Sequence, residues 1–302
     1  MPRKTKDAAA AESIALLDGR VSRQAEKYPA WLAELAELDA ALLREREGTA
    51  LPLLTQLGKS FFSPTLHNGH LPEHRAALMR AVGGLRAAFF PEYSRALCVG
   101  AGLTPSDFLP ITALSGSRIA YVKNAYADEA YEILAETLPS PTAAYADSFR
   151  TACEEVVSGD ADLCILPYEN AGGLLASFAA LAERYALVCV ATCRVFHADG
   201  TDVTHFALYR PCFLPINEKK ACHLRYAFPF TGAGRLAAHI AALDAFDAKI
   251  ERLICEADAE SGSIRCALTL TLYKNTLTPW LTYLSLFAEG YVVQGLYEET
   301  EA

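Results

Sequence analysis

The run Ala161-Asp162-Leu163-Cys164-Ile165-Leu166, followed by Pro167-Tyr168-Glu169-Asn170-Ala171-Gly172-Gly173, constrains this 302-residue chain more than any other stretch. It reads as a buried strand that ends at proline and leads into a helix over Leu174 to Tyr185. An acid, an amide and paired glycines at such a junction are how an α/β fold presents backbone N–H groups to an anion at a helix N-terminus. The same residues also suit a plain strand-to-helix turn in which Asn170 caps the helix.

Strand and helix patterns alternate around that run. Arg118 to Val122 reads as a strand, Asp128 to Glu136 and Ser148 to Val157 as helices, Leu187 to Thr192 as a strand, and His205 to Tyr209 as a strand opened by Thr204. This alternation predicts a doubly wound α/β lobe over 118–215. Before it, apolar residues recur at helical steps from Glu12 to Phe90, broken at Pro29, so residues 1–99 read as a helical segment. Gly100 to Ser117, rich in Gly, Pro, Ser and Thr, reads as a linker. Over 221–302 the order is βαββαβ, with strands at His223–Phe228, Lys249–Glu256, Ile264–Tyr273 and Tyr291–Tyr297 and helices at Arg235–Leu243 and Pro279–Phe287. That is the ferredoxin-like order, whose sheet carries helices on one face; the other face is expected to be apolar and to pair with a second copy.

Composition narrows the partners. A net charge of -9 offers nothing to offset phosphate repulsion, so neither nucleic acid nor an anionic membrane is expected, although a small anion can still be held by single Arg residues or helix ends. Nine cysteines without a CxxC pair fit reduced, buried thiols in a cytoplasmic protein better than a disulfide framework or a zinc site. His67, His70 and His74 are separated by Asn68-Gly69 and Pro72, which break the helix that would align them on a metal. Neither a metal nor another cofactor is expected, and no apolar run is long enough to span a membrane.

Pro167 to Gly173 together with Thr204-His205-Phe206 resembles two motifs of prephenate dehydratase. The C-terminal segment resembles an ACT domain, an amino-acid-sensing module, through Thr231-Gly232-Ala233-Gly234-Arg235-Leu236 and Ile250-Glu251-Arg252-Leu253. The order of helical, dehydratase-like and ACT-like segments is similar to that of the bifunctional chorismate mutase and prephenate dehydratase proteins. The resemblance implies catalytic roles for Thr204, His205 and Phe206, with Thr204 as the acid. It further implies substrate binding by Tyr126, Glu169, Asn170, Gly172 and Gly173, and effector binding by Gly232, Ala233, Gly234, Leu236, Glu251 and Arg252. A small carboxylate or amino acid, such as prephenate or phenylalanine, would be the ligand, and a homodimer or higher homo-oligomer the assembly.

This sequence departs from the family at defined positions. Ala171 stands where the motif has Ser, His205 where it has Arg, and Lys123-Asn124-Ala125-Tyr126 where a Gly-rich turn is expected. Only 33 residues, Ala171 to Val203, lie where the family places a second lobe, and a lobe with its own core needs at least about 50. The expectation is therefore a relative with lost or altered dehydratase chemistry and a regulatory, ligand-sensing role. The alternatives are an active dehydratase or mutase completed across a dimer, and an interaction module built on the N-terminal helices.

Overall fold

Short-range signals start two of the helices on the N-terminal part of the sheet. The Asn124 side chain accepts from Ala127 N at 3.0 Å and starts the helix Ala125–Ala135, and the Ser148 hydroxyl accepts from Thr151 N at 3.1 Å and starts the helix Phe149–Ser158. Gly159, at φ 85°, ends the second of these helices in the left-handed region, where glycine carries no Cβ penalty. The computed structural model describes residues 90–298, except 110–113, 115, 171, 199, 201, 218, 258–263 and 288–290. The expected helical segment before Phe90 and the His67, His70 and His74 cluster lie outside the described residues.

In chain order the elements are α1 (Phe90–Ala101), α2 (Pro105–Phe108), β1 (Arg118–Tyr121), α3 (Ala125–Ala135), β2 (Thr142–Tyr145), α4 (Phe149–Ser158), β3 (Leu163–Asn170), β4 (Gly173–Leu174) and α5 (Ala176–Arg184). Then follow β5 (Val188–Phe196), β6 (Val203–Arg210), β7 (Cys222–Pro229), α6 (Ala233–Ala245), β8 (Lys249–Ala257), β9 (Ile264–Leu272), α7 (Leu277–Phe287) and β10 (Val292–Glu298). The result is a mixed α/β fold on one large sheet. The stretch expected as a linker holds the end of α1 and all of α2. Leu97, Phe108 and Leu109 are buried in the main core, and both helices pack on α7.

The sheet runs β2-β1-β3-β6-β5-β10-β7-β9-β8, with β4 beside β3. Strands β2, β1 and β3 are parallel; β6 is antiparallel to both β3 and β5. Helices cover both faces of this part: α3 packs on one face through Ala127 and Ala130, and α4 and α5 pack on the other through Ala152, Cys153, Val156 and Ala182. In the C-terminal part the strands alternate. Leu224, Tyr226, Leu268, Leu270 and Leu272 point into the core shared with α6 and α7, around Trp280, Phe246 and Leu284.

The opposite face of β7, β8 and β9 carries His223, Arg225, Thr269 and Thr271, so the expected apolar face is polar. Alternation does this directly, because each Leu of Leu268-Thr269-Leu270-Thr271-Leu272 leaves the intervening Thr on the other side.

Two sheet segments meet at one point. Gly295 of β10 pairs with Cys189 of β5, and a Cβ on Gly295 would stand 2.9 Å from Cys189 Cβ and 3.2 Å from its carbonyl oxygen. Only glycine allows the backbones to approach so closely. Curvature follows from a second contact: Arg252 of β8 is ion-paired with Glu169 of β3. Those strands are six steps apart in the sheet, roughly 29 Å if it were flat, far beyond the reach of the two side chains. The sheet therefore curls, with the polar face of β7–β9 on its concave side. The Arg265–Glu183 ion pair at 2.7 Å, from β9 to α5, is a second tie across the concavity.

The expectation of reduced thiols fails at one pair. Cys255 and Cys266 are directly opposite on β8 and β9 and form a disulfide, which register makes possible by placing their Cα atoms 4.2 Å apart. Of the other described cysteines, all but Cys212 are buried.

Two stability tests follow from the packing. Gly295→Ala forces Cβ into Cys189 and is expected to cost about 1–3 kcal/mol, read as a lower denaturant midpoint; an unchanged midpoint would contradict the tight join. His239 is buried between Tyr226 Oη at 2.6 Å and Tyr291 Oη at 3.1 Å, and burial pushes its imidazole down to about 4. Between pH 6.5 and about 4 the unfolded chain takes a proton that the folded chain refuses, so stability falls with falling pH by about 3 kcal/mol. In His239→Gln this component of the acid-induced loss should be absent in equilibrium unfolding measured across that window.

Candidate functional site

The concave face encloses a cleft of about 880 Å³. Sequence register places its polar residues in transverse rows. Arg225 is opposite Thr269, which is opposite Arg252; one row away, Tyr297, His223, Thr271 and Lys249 follow one another across β10, β7, β9 and β8. On the other wall Arg194, His205 and Glu169 are neighbours across β5, β6 and β3.

Two bulges widen the set of side chains that reach the cleft. Between Pro167 and Glu169 the register with β6 shifts by one residue, so Tyr168 and Glu169 both line the cleft although they are consecutive. Pro167 has no N–H to give to a ladder, and a bulge is where an interior strand tolerates it. The strand therefore runs through the proline to Asn170 instead of ending there. On β8 the shift between Ile250 and Arg252 likewise brings both Glu251 and Arg252 to the lining.

Positive charge exceeds negative charge in this cleft. Arg194, Arg225, Lys249 and Arg252 line it against Glu169 and Glu251. Glu169 engages Arg252, and Glu251 engages Lys249 at 2.8 Å while accepting from the Thr271 hydroxyl at 2.8 Å. The Lys249 ammonium, followed by the Thr271 hydroxyl, holds the Glu251 carboxyl below its usual range. Arg225 donates through Nε to Gln294 Oε1 at 3.2 Å.

His205 sits edge-on to Tyr168, ring centroids 5.7 Å apart, and desolvation lowers its imidazole against the pull of Glu169. It is thus biased toward the neutral form, able to donate at one nitrogen and accept at the other. Cys193 also borders the cleft, but burial pushes its thiol up to about 12, which removes it as a thiolate nucleophile.

The sequence-expected residues divide between places. Glu169, His205, Glu251 and Arg252 line the cleft. Thr204 and Phe206 do not, because neighbours on β6 point to opposite faces: Phe206 is buried in the main core, and Thr204 bonds to His197. Tyr126 stacks on His197, away from the cleft lining.

Asn170 pairs with Gly173 in a hairpin between β3 and β4, and its Oδ1 accepts from Gly172 N at 2.9 Å. Helix α5 starts only at Ala176 with Leu175 as its N-cap, so Asn170 does not cap it and Gly172 and Gly173 are not its first N–H groups. Gly232, at φ 135°, is the N-cap of α6. Ala233 and Gly234 open that helix, and Leu236 packs on the main core; none of these four lines the cleft with Glu251 and Arg252.

Arg194, His223, Arg225, Lys249, Thr269 and Thr271 were not anticipated from the sequence. The signal was present in Cys222-His223-Leu224-Arg225-Tyr226 and Leu268-Thr269-Leu270-Thr271-Leu272, where a polar row alternates with the core row. Among the described residues no three His, Cys, Asp or Glu side chains converge as a metal site, and no helix is long and apolar enough to cross a membrane.

No protein-family model matches this sequence, and no curated protein matches it. In structure the chain is similar to prephenate dehydratase from Streptococcus mutans, with a TM-score of 0.48 and 14% identity over 61% of this chain and 100% of that one. It is also similar to the prephenate dehydratase of Arthrobacter aurescens in complex with L-Phe, at a TM-score of 0.44 and 11% identity over 60% and 90% of the two chains. GqqA, described as a novel type of quorum quenching acylase, matches at a TM-score of 0.46 and 18% identity, over 60% of this chain and 94% of its own.

The Glu169–Arg252 pair gives a direct test of the cleft's closure. In a double-mutant cycle of Glu169→Gln and Arg252→Gln, a coupling of about 1–2 kcal/mol is expected, between the values for exposed and buried pairs. Strict additivity would mean that the two walls do not meet in solution.

Proposed function

We propose that this protein binds a small anionic metabolite, a carboxylate, in the concave cleft, as a prephenate dehydratase-like protein whose catalysis is lost or altered. The observation that carries the reading is the convergence of Arg194, Arg225, Lys249 and Arg252 on one cleft in a chain whose net charge is -9. Thr269 adds a hydroxyl, and Tyr168 and Tyr297 add ring surface. Arg is suited to a carboxylate because its planar fork offers two parallel N–H donors.

The placement of Thr204 outside the lining supports altered chemistry, since the residue that the sequence resemblance casts as the acid cannot reach a ligand held there. The C-terminal βαββαβ segment contributes Arg225, Lys249 and Arg252, so ligand binding draws on the segment read as regulatory. In this reading, sensing and any remaining chemistry share one site instead of occupying two.

Titration calorimetry of the full chain with prephenate, phenylpyruvate and phenylalanine tests the reading. At least one of these carboxylates should bind, and Arg225→Gln should weaken it by about tenfold to a hundredfold, as loss of a charged hydrogen bond requires. No binding by any of the three, or binding indifferent to Arg225, would overturn it. Conversion of prephenate to phenylpyruvate that Thr204→Ala abolishes would instead favour the active dehydratase.

A further inference from the structure

Thr204, excluded from the cleft by strand alternation, has chemistry of its own. Its Oγ1 lies 2.9 Å from His197 Nε2, and the other ring nitrogen, Nδ1, lies 3.9 Å from Asp202 Oδ2. Hydroxyl, Nε2, Nδ1 and carboxylate in this order let an imidazole take a hydroxyl proton while a carboxylate steadies the charge that results.

The β5–β6 hairpin builds the arrangement. Thr204 pairs with Val195 and Val203 with Phe196, which leaves His197 and Asp202 at the two ends of the connecting loop, joined by His197 N donating to Asp202 O at 3.0 Å. Asp202 is anchored further by Val203 N, which donates to its Oδ1 at 2.8 Å. Tyr126 stacks on the imidazole, with centroids 4.4 Å apart and planes 19° apart, and restrains the ring's tilt. Tyr126 is the second residue of the 11-residue helix α3, which ties the ring that covers the imidazole to a regular element.

We propose that Thr204 and His197, positioned by Asp202, form an acyl-transfer site separate from the cleft and acting on small acyl esters. Thr204 Oγ1 attacks the ester carbonyl carbon as its proton passes to His197 Nε2. The bond from that carbon to the leaving alcohol oxygen breaks, the alcohol takes the proton from His197, and the acyl group remains as an ester on Thr204. Water then attacks the same carbon, giving its proton to His197; the carboxylic acid leaves, and Thr204 Oγ1 regains a proton from His197. The imidazole is 25% and the Asp202 side chain 40% exposed, so the site is open to water and suits short, soluble esters over long acyl chains.

The test uses the full chain and p-nitrophenyl acetate. The expected result is a burst of p-nitrophenol, an acetyl group on the peptide that contains Thr204, and hydrolysis lowered about 100-fold or more in Thr204→Ala and in His197→Ala. Thr204→Ser should keep the activity, and Asp202→Asn should lower kcat with KM unchanged, which a merely structural carboxylate would not do. Circular dichroism of each variant shows that it is folded; should Thr204→Ala not fold, His197→Gln decides. Hydrolysis within twofold of the unaltered protein in the folded Thr204 or His197 variants, or acetylation confined to lysines, would overturn the proposal. A hairpin end that is only structural predicts that result. Neither outcome bears on the cleft, which is read by calorimetry with carboxylates.

Discussion

The close approach of Gly295 to Cys189 is the constraint on which the rest of this structure depends. Strands β2, β1, β3, β6 and β5 form one run of the sheet and β10, β7, β9 and β8 another, and this single backbone pairing joins them. A side chain at residue 295 would push the two runs apart, because the nearest atoms belong to Cys189 Cβ and to its main chain, which cannot rotate away. Once joined, the sheet carries β3 and β8 around toward each other until Glu169 meets Arg252. A right-handed twist accumulates over many strands, and a polar contact across the concavity fixes how far it goes.

That curvature converts an ordinary polar sheet face into a binding surface. His223, Arg225, Thr269 and Thr271 would face open water on a flat four-stranded sheet. Set against Arg194, His205 and Glu169, they enclose a cleft in which charges are less screened and a bound anion gains more from each guanidinium. The bulges at Pro167–Glu169 and Ile250–Arg252 are part of the same design, since each brings two consecutive residues to the lining where strict alternation would bring one. The alternation that supplies His205 to the cleft sends Thr204 to the hairpin end beside His197 and Tyr126. Two neighbouring residues of one strand thus belong to separate chemical environments.

Much of the order of elements was legible in the sequence, because periodicity is a local property. The helix at Phe149–Ser158 begins at the expected Ser148, and the strands at Cys222–Pro229, Lys249–Ala257 and Ile264–Leu272 lie where their alternating patterns put them. Short β2, with Thr142-Ala143-Ala144-Tyr145, gave no strand signal because it is alanine-rich and mostly exposed. The run after Leu166 was misleading for a specific reason: proline usually ends a strand, and only the long-range register with β6 shows that a bulge accommodates it. Glu169, His205, Glu251 and Arg252 could be singled out from local motifs, but their meeting depends on strands 83 residues apart in the chain. The rest of the cleft was hidden because polar residues alternating with a core row look like a solvated face until curvature is known.

Hydrogen exchange of the full chain with and without a saturating carboxylate tests the central claim most directly, because it asks where binding is felt. Slowed exchange should appear together in 168–170, 222–226, 249–254 and 267–271, the two walls that curvature brings together. Protection confined to the 195–204 hairpin, or to one wall without the other, would contradict a ligand held in the concave cleft.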